Sequence, residues 1–214
     1  MNKLECFSQL VPKIIDDIKK DETVVLCISG RSCSGKSTLS MEIKSMLNRQ
    51  GYTVEILCED SWYKNLEEIS RGLYGFYNME DESAFCISEY KKDIQTLLMF
   101  GGSYIPVYSI DKNQRVNKNK YVLKPQVLIL EGLHTIHIFE ELDKSDLSVY
   151  YLYLNTPFNV CLSRRVNRDT QFLDLSVEKI SRVYTEVIDK HYSKYINLLQ
   201  SIVLEKMERG FMIE

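Results

Sequence analysis

The stretch GRSCSGKST, residues 30–38, decides the fold class of this chain. It has the pattern Gly-x-x-x-x-Gly-Lys-Ser, in which Gly30 and Gly35 allow a tight curl that turns successive backbone N–H groups inward. The helix that follows adds its positive N-terminal end to this concave nest, so a polyphosphate is the natural guest. Lys36 can follow the charge of the β- and γ-phosphates, and the Ser37 hydroxyl can bind a Mg²⁺ ion that bridges them. The sequence therefore predicts a phosphate-binding loop.

The residues on either side of this loop have the strand and helix patterns that such a loop requires. Residues 23–29, TVVLCIS, form an apolar, β-branched run typical of a strand buried on both faces. After Lys36, apolar residues recur at helical spacing until Gly51 ends the pattern. Strand, loop and helix in this order favour nucleotide binding over a Gly/Ser turn that merely joins two elements. We expect the nucleotide to contact the whole loop: Gly30, Arg31, Ser32, Cys33, Ser34, Gly35, Lys36, Ser37 and Thr38.

Length and composition limit the classes of protein to consider. The 214 residues, 44% of them hydrophobic and 27% charged, predict one soluble domain that spans residues 1–214. A net charge of −3 offers no basic excess for a nucleic-acid partner. The amino terminus lacks the layout of a signal peptide and no apolar run approaches 18 residues, so we expect a cytoplasmic chain without membrane contact. The six cysteines lie at least six residues apart, which excludes a C-x-x-C zinc or redox motif.

The chain as a whole alternates helical and extended patterns. This alternation predicts an α/β fold, a mostly parallel sheet flanked by helices, which with the loop is the P-loop NTPase fold. Further strands are predicted at residues 53–58, 126–130, 147–154 and 201–204. Further helices are predicted at residues 5–19, 87–100, 157–168 and 176–200. Two short extended runs within residues 103–123 favour a small β-hairpin inserted outside the main sheet.

Two acids follow predicted strands at the edge where a parallel sheet gathers its ligands. Asp60 comes after the strand at 53–58, and Glu131 comes directly after VLIL at 127–130. Glu131 is placed like a Walker B acid, which binds Mg²⁺ or its water shell. The alternative for Glu131 is a capping or solvated carboxylate. Asp60 is placed to orient and deprotonate an attacking hydroxyl beside the γ-phosphate.

Three arginines share one face of the helix predicted at residues 157–168. Arg164 and Arg168 are four residues apart, and Arg165 and Arg168 are three apart. Two or three guanidinium groups on one face can neutralise the charge that spreads over the oxygens of a transferring phosphate. The alternative is a solvated face whose arginines pair with acids such as Asp169.

Five further segments, together with the phosphate loop, resemble the uridine kinase family within the larger uridine kinase and phosphoribulokinase group. The resemblance extends from about residue 22 to 205, and the segments occur in the order that the family has. They are EDSWYK (59–64), YNMEDESAF (77–85), IPVYS (105–109), LILEG (128–132) and SRRVNRD (163–169). The phosphate loop is shared by many NTPases, whereas the ordered set is far more specific.

The resemblance implies roles for residues on the acceptor side. In the family's D-S-F-Y tract the aspartate is the base toward the nucleoside 5′-hydroxyl and the tyrosine lines the nucleoside pocket. The matching positions are Asp60 and Tyr63. Glu80 stands where the family has an aspartate that grips ribose hydroxyls, and Tyr108 matches the tyrosine of the I-P-x-Y-D tract. The resemblance thus implies that Tyr63, Glu80 and Tyr108 bind the substrate.

The resemblance also implies a lid. The arginines of the family's R-R-x-x-R-D tract correspond to Arg164, Arg165 and Arg168, which would lie by a lid at about residues 164–176 and close over the phosphates. We expect Arg165 and Arg168 to belong to the catalytic set with Lys36 and Asp60. Arg165 is expected to contact the substrate as well.

The sequence therefore predicts a kinase that uses ATP or GTP, with Mg²⁺ bound by Ser37 and Glu131, to phosphorylate the 5′-hydroxyl of a nucleoside such as uridine or cytidine. The chain departs from the family pattern around the base, at Met79, Ser109 and Asn113. The alternative acceptor is another small alcohol, such as nicotinamide riboside or pantothenate. A further alternative is a protein that binds ATP without catalysis, because TQFLDLS replaces the family's lid sequence. Assembly into a homo-oligomer is left open.

Overall fold

Six α-helices and nine β-strands are found in the part of the chain that the structure describes. The computed structural model describes residues 2–20, 23–72, 75, 77–110, 112–142, 147–172, 175–190, 192–193, 195, 201 and 209–214. The helices are α1 (Lys3–Ile18), α2 (Lys36–Asn48), α3 (Ile87–Phe100), α4 (Thr135–Leu142), α5 (Phe158–Phe172) and α6 (Val177–Val183). The strands are β1 (Val24–Gly30), β2 (Val54–Cys58), β3 (Gly102–Ile105), β4 (Tyr108–Ser109), β5 (Gln114–Arg115), β6 (Lys120–Leu123), β7 (Val127–Glu131), β8 (Ser148–Leu154) and β9 (Gly210–Ile213).

Five parallel strands form the main sheet, in the order β2-β7-β1-β8-β9. Every residue of β1, β7 and β8 is buried, as expected of central strands in a sheet that helices cover on both faces. The four strands predicted between residues 23 and 154 are present with bounds shifted by at most one residue. The predicted α/β fold with a mostly parallel sheet is confirmed.

Helices cover both faces of the main sheet. On one face, Leu10 of α1 and Ile43 of α2 share a buried cluster with Leu26 of β1. On the other face, Ile94 of α3 and Phe139 of α4 belong to a second cluster, together with alternate residues of the same strands. Burial of each such side chain contributes about 1.5–3 kcal/mol. The two clusters hold the sheet rigidly enough to position the loops at its carboxyl edge.

Local signals in the sequence set several helix ends. At the start of α1, the Asn2 side chain accepts the backbone N–H of Glu5, and the Glu5 carboxylate accepts the backbone N–H of Asn2, both at 3.0 Å. Gly101 ends α3 in a left-handed conformation with φ of 81°. No helix in the described residues is long and apolar enough to cross a membrane.

The segment between α3 and β7 forms two short antiparallel pairs outside the main sheet. β3 pairs with β6, and β4 pairs with β5. Arg115 of β5 holds the pair β4–β5 against the loop after β2. Its guanidinium donates to the backbone oxygens of Trp62 and Tyr63 at 3.1 and 2.9 Å. The predicted inserted hairpin is confirmed, and it brings Tyr108 of β4 next to the loop after β2.

The C-terminal part differs from the prediction. The helix expected from residue 176 begins as α6 and continues as a π-helical turn, Tyr184–Ile188, while part of residues 189–200 lies outside the described residues. The strand predicted at 201–204 is wrong at Ser201, which is helical, and the rest of that stretch is not described. The strand at the sheet edge is instead β9, which pairs in parallel with β8.

Candidate active site

The sheet register brings the ends of β1, β2 and β7 to one level. Ile28 and Cys58 are both paired with Glu131, the last residue of β7. The phosphate loop begins at Gly30, two residues after Ile28, and Asp60 lies two residues after Cys58. The loop and the two acids therefore leave the sheet side by side at the same edge.

The phosphate loop needs glycine at both ends for different reasons. Gly30 lies so close to β8 that a Cβ there would be 2.8 Å from the carbonyl oxygen of Leu154. Gly35 has φ of 105°, a left-handed conformation that residues with a Cβ adopt rarely. Cys33 adopts a left-handed φ of 64° between them. These conformations produce the tight curl that the sequence predicts.

Hydrogen bonds from side chains brace the loop. The Lys36 ammonium donates to the carbonyl oxygens of Gly30 at 2.9 Å and Arg31 at 3.0 Å. From the end of β8, the Thr156 hydroxyl donates to the carbonyl oxygen of Ser34 at 2.9 Å. Within the curl, the Ser34 N–H also donates to the carbonyl oxygen of Arg31 at 3.0 Å, so side chains and backbone together fix the shape of the loop.

A cavity of about 690 Å³ opens beside the loop. Residues 33–39 form part of its wall, and Thr156, Arg164 and Arg168 line it as well. Its volume falls within the range of about 300–1,000 Å³ that is usual for small-molecule sites. The cavity is large enough for a nucleotide whose phosphates lie on the loop.

Ser37 and Glu131 form a pair that fits a Mg²⁺ ion. The Ser37 hydroxyl donates to Oε1 of the buried Glu131 at 3.0 Å, and the Ser40 hydroxyl reaches Oε2 at 3.5 Å. Hydroxyl and carboxylate oxygens are the hard ligands that Mg²⁺ prefers. No group of three or more His, Cys, Asp or Glu side chains in the described residues is arranged to hold a metal. Mg²⁺ commonly takes its other ligands from phosphates and water.

Asp60 lies in a short 3₁₀ turn, Glu59–Trp62, that follows β2. Burial raises the pKa of its carboxyl above the ordinary value, and the charges of Glu80 and Glu131 raise this pKa further, while the Lys36 ammonium opposes the shift. Asp60 therefore lies within electrostatic range of Glu80, Glu131 and the lysine of the phosphate loop.

Aromatic side chains form a wall next to Asp60. The rings of Tyr63 and Tyr108 meet edge to face with centroids 5.9 Å apart, and Phe85 lies 6.2 Å from Tyr63. The Tyr108 hydroxyl is buried and has no hydrogen-bond partner among the described residues. An unpaired buried hydroxyl is costly. Tyr108 thus closes the aromatic wall that Tyr63 and Phe85 begin.

Glu80 lies half-buried in the turn after Asn78, whose side chain accepts the backbone N–H of Glu80 at 3.2 Å. Besides burial, the charges of Asp60 and Glu80 raise the pKa of Tyr63 well above its ordinary value. Glu80 thus lies within electrostatic range of Asp60 and Tyr63.

Helix α5 brings its arginines to the phosphate loop. Arg164 donates to two carbonyl oxygens of the loop at 3.1 and 3.3 Å, and Arg165 donates to the Ser32 hydroxyl at 2.9 Å. Arg165 and Arg168 both pair with Asp169, which is buried. Arg165 therefore touches both the loop and the buried acid, and Arg168 lines the cavity beside the loop.

The sequence profile of the Phosphoribulokinase / Uridine kinase family matches residues 25–202. The chain belongs to this family. The predictions of a uridine kinase-like relationship, a P-loop fold and a kinase are confirmed by this match. Membership in this family also implies that the chain binds a nucleotide.

Members of the family with known names are similar to this chain over most of their length. A uridine kinase of Lactobacillus johnsonii is 27% identical over 173 residues, which cover 81% of this chain and 80% of the relative. A uridine kinase of Shewanella piezotolerans is 27% identical over 177 residues and 82% of each chain. Among solved structures, a D-glycerate 3-kinase from Cryptococcus neoformans has a TM-score of 0.60 at 9% identity, with 88% of this chain and 87% of that chain covered. The structural likeness concerns the fold alone.

Sequence reasoning missed Glu59, the residue before Asp60. Its carboxylate accepts the backbone N–H groups of Leu133 and His134, both at 2.6 Å. A Cβ at Gly132 would overlap the Glu59 carboxyl group, so the glycine makes room for it. Burial raises the pKa of Glu59 and the Asp60 charge adds to the shift, while the Lys36 ammonium and the backbone N–H of His134 oppose it. Glu59 thus joins the loop after β2 to the loop after β7 in this kinase family member.

Sequence reasoning also missed what the Arg31 side chain does. It forms an ion pair with Asp189 and lies over the ring of Tyr192, 4.4 Å from the ring centroid. Nearby, the Tyr184 hydroxyl donates to the carbonyl oxygen of Ser32 at 3.0 Å. These contacts fasten the phosphate loop to the helical segment that follows α6. No local sequence pattern indicates them, because the partners lie more than 150 residues apart.

Proposed function

We propose that this chain is a nucleoside kinase that transfers the γ-phosphoryl group of ATP or GTP to the 5′-hydroxyl of a nucleoside, within one domain that spans residues 1–214. The observation that supports the proposal is the common level of three strand ends, from which the phosphate loop, Asp60 and Glu131 leave the sheet side by side. The relatives named uridine kinase support a pyrimidine nucleoside such as uridine or cytidine as the acceptor.

The phosphate loop would hold the donor. The backbone N–H groups of residues 30–38 and the Lys36 ammonium would bind the phosphates, and the cavity beside the loop would take the rest of the nucleotide. Ser37 and Glu131 would hold Mg²⁺, which when bound neutralises charge on the β- and γ-phosphates.

Asp60 would orient the acceptor and receive its proton. As the acceptor oxygen forms its bond to the γ-phosphorus, the hydroxyl proton passes to the Asp60 carboxylate and the bond to the β-phosphate oxygen breaks. The raised pKa of Asp60 supports this role, because a general base works best when its pKa approaches the working pH. Tyr63 and Tyr108 would pack against the acceptor, and Glu80 would bind its ribose hydroxyls.

Arg165 and Arg168 would stabilise the charge that develops on the transferring group. Their pairing with Asp169 holds both guanidinium groups on one face of α5, beside the loop. Arg165, which already contacts Ser32, would also contact the substrate. We propose residues 164–176 as the lid, of which residues 173 and 174 lie outside the described part of the chain.

Charge on the acceptor side separates the alternative acceptors. Asp60 and Glu80 would repel an alcohol that carries a carboxylate, such as pantothenate. Nicotinamide riboside, whose ring is positively charged, would meet no such repulsion and is the second candidate. Assays of ADP release and of phosphorylated product with uridine, cytidine, nicotinamide riboside and pantothenate decide among them. ATP binding without transfer to any acceptor would instead support a non-catalytic protein.

The replacement Asp60→Asn tests the proposed chemistry. We expect the transfer rate to fall by about 10²–10⁴-fold, because the amide cannot accept the proton, while ATP binding stays near the native value. The matched control is Asp16→Asn, the same change at an exposed position of α1. A native transfer rate in Asp60→Asn would show that Asp60 is not the base.

A further inference from the structure

Arg115 lies opposite one tyrosine of the aromatic wall and is bonded to the other. In the pair β4–β5 its Cα partner is Tyr108. Its guanidinium Nε donates to the backbone carbonyl oxygen of Tyr63 at 2.9 Å. The rings of these two tyrosines meet edge to face with centroids 5.9 Å apart. One residue therefore connects the backbones of both tyrosines.

The same guanidinium reaches the turn that carries Asp60. Nη2 donates at 3.1 Å to the carbonyl oxygen of Trp62, the last residue of the 3₁₀ turn Glu59–Trp62. Two consecutive carbonyl oxygens thus accept hydrogen bonds from one planar group, whose donors have a fixed spacing. The end of the turn on which Asp60 lies is fixed by the same fork that holds the tyrosine.

Arg115 is itself held in place. Its Nη1 donates to the Glu89 carboxylate of α3 at 2.6 Å, and its backbone N–H donates to the Asn65 side chain at 2.8 Å. All three guanidinium nitrogens therefore have a partner, and only 24% of the side chain is exposed. Bonds between charged groups are stronger than neutral ones. The ion pair ties the fork to α3, which packs against the main sheet.

The loop after β2 is held on two sides. The Trp62 carbonyl oxygen also accepts the backbone N–H of Cys86 at 3.0 Å, and the Lys64 N–H donates to the carbonyl oxygen of Ala84 at 3.0 Å. These bonds tie the loop to the segment before α3. The bonds from Arg115 hold the same backbone from the side of the inserted hairpin. The spacing between the loop and the hairpin therefore depends on Arg115.

We propose that Arg115 is a positioning residue that sets the spacing of Tyr63 and Tyr108, and with it the space in which the acceptor binds. Arg115 acts through these tyrosines and does not touch the substrate. The inference rests on the proposed function, in which the two tyrosines pack against the acceptor. Arg115 is not among the described residues that line the cavity beside the phosphate loop, so its replacement should leave donor binding unchanged.

The replacement Arg115→Lys separates the geometry of the fork from its charge. Lysine keeps the positive charge but lacks the planar fork, so it cannot reproduce the bonds to two carbonyl oxygens together with the ion pair to Glu89. We expect the KM for uridine to rise about 10–100-fold, because small displacements of groups that position a substrate have effects of this size. The dissociation constant for ATP, measured by isothermal titration calorimetry, should stay at the native value.

Trp62 reports on the loop without any substrate. It is the single tryptophan of the chain and is fully buried, and its indole N–H donates to Asp93 at 2.9 Å. Arg115→Lys should shift its fluorescence emission to longer wavelength, because the ring of a loosened loop meets more water. A native chain that does not phosphorylate uridine would count against the proposed function, and the emission would then decide the role of Arg115.

Two replacements serve as controls. Glu89→Gln removes the charge of the ion pair and leaves the fork, so its effect on the KM for uridine should be smaller than that of Arg115→Lys. Arg49→Lys is the same change at an exposed arginine that donates to the Ser45 hydroxyl at 3.0 Å, and it should match the native protein in every measurement.

Circular dichroism checks that the variants are folded. If Arg115→Lys is not folded, Asn65→Ala takes its place, because it removes the acceptor of the Arg115 backbone N–H and should raise the same KM. A native KM for uridine in the folded variant would overturn the proposal, as would native Trp62 emission where uridine is not phosphorylated. Equal losses of uridine and ATP binding would also overturn it, because they would indicate a general structural defect.

Discussion

Glu59 is the residue whose replacement should disturb the site most without touching a substrate. Its carboxylate joins the loops that follow β2 and β7; Asp60 lies in the first loop, and Glu131 ends β7 directly before the second. Gly132 leaves the space that this carboxylate fills. A single buried side chain thus sets the relative position of Asp60 and Glu131.

We expect Glu59→Gln to lower both stability and transfer rate. The amide can accept one of the two backbone N–H groups, while its own N–H₂ faces the other, so one buried donor loses its partner at a cost of about 1–3 kcal/mol. For a chain of this size each kcal/mol lowers the melting temperature by about 2–4 °C. Calorimetry measures this loss, and kinetics should show a fall in kcat of about 10-fold with a smaller change in the KM for ATP.

The control for Glu59 is Glu67→Gln, the same change at an exposed position of the turn Leu66–Glu68. It should match the native protein in both measurements. A Glu59→Gln protein with native stability and native kcat would contradict the positioning role.

The pH dependence of the reaction follows from the environment of Asp60. Burial, and then the charge of Glu80, raise the pKa of its carboxyl, and the group must be ionised to act as a base. Activity is therefore full above the raised pKa and falls as the pH drops through it, so the acid limb of kcat/KM should lie above the ordinary aspartate value of 3.8. Glu80→Gln should move this limb to lower pH. A limb near pH 4 in the native enzyme, or an unmoved limb in the variant, would contradict the assignment.

Helix α5 positions the guanidinium groups of Arg165 and Arg168, and the carboxylate of Asp169 holds both through ion pairs. Arg165 and Arg168, three residues apart on the helix, would repel each other if the buried carboxylate did not lie between them. Arg165 also donates to the Ser32 hydroxyl, so the ion pair between Arg165 and Asp169 helps to fix α5 against the phosphate loop.

We expect Asp169→Asn to destabilise the protein by about 1–2 kcal/mol, a value discounted because Arg168 is half exposed and water screens its charge. The transfer rate should fall because the arginines are no longer held beside the loop. Denaturant titration and steady-state kinetics measure the two effects. The control is Glu186→Gln, which alters an exposed ion pair with Arg182 and should change little. Equal effects of the two replacements would contradict the holding role of Asp169.

The sequence predicted best the elements whose burial shows as a continuous run, or a regular spacing, of apolar residues. β1, β7 and β8 are buried on both faces, so their sequences are continuous apolar runs, and α3 shows helical spacing up to its terminal glycine. β9 was missed because GFMI is short, follows charged residues and becomes a strand only by pairing with β8. The sequence of β9 alone therefore does not indicate a strand, since the strand depends on a contact with a distant segment.

In the candidate site, too, the residues next to predicted strands could be predicted from the sequence, whereas contacts between distant segments could not. The phosphate loop, Asp60 and Glu131 follow strands directly, so the rule for strand ends selects them. Glu59 was hidden because an acid beside another acid in a loop reads as solvated, whereas its burial depends on Gly132 more than 70 residues away. The partners of Arg31 lie even farther away in sequence. Contacts that join distant segments leave no periodic pattern.

At the scale of the whole molecule, the phosphate loop is where separate elements meet. Thr156 after β8, Arg164 of α5 and Tyr184 after α6 each donate a hydrogen bond to a carbonyl oxygen of the loop. A ligand bound inside the loop therefore acts on elements from both halves of the sequence. Binding should stabilise the whole fold and not only the loop.

We expect ATP with Mg²⁺ to raise the melting temperature of the native chain. At 100 times the dissociation constant a ligand that binds only the folded state adds about 2.7 kcal/mol, which corresponds to roughly 5–10 °C at 2–4 °C per kcal/mol. Lys36→Ala should lose most of this shift, because it removes the mobile charge that follows the phosphates, while Lys13→Ala on α1 should keep it. Differential scanning fluorimetry measures the shift. Equal shifts in the two variants would mean that the triphosphate binds elsewhere than in the curl between β1 and α2.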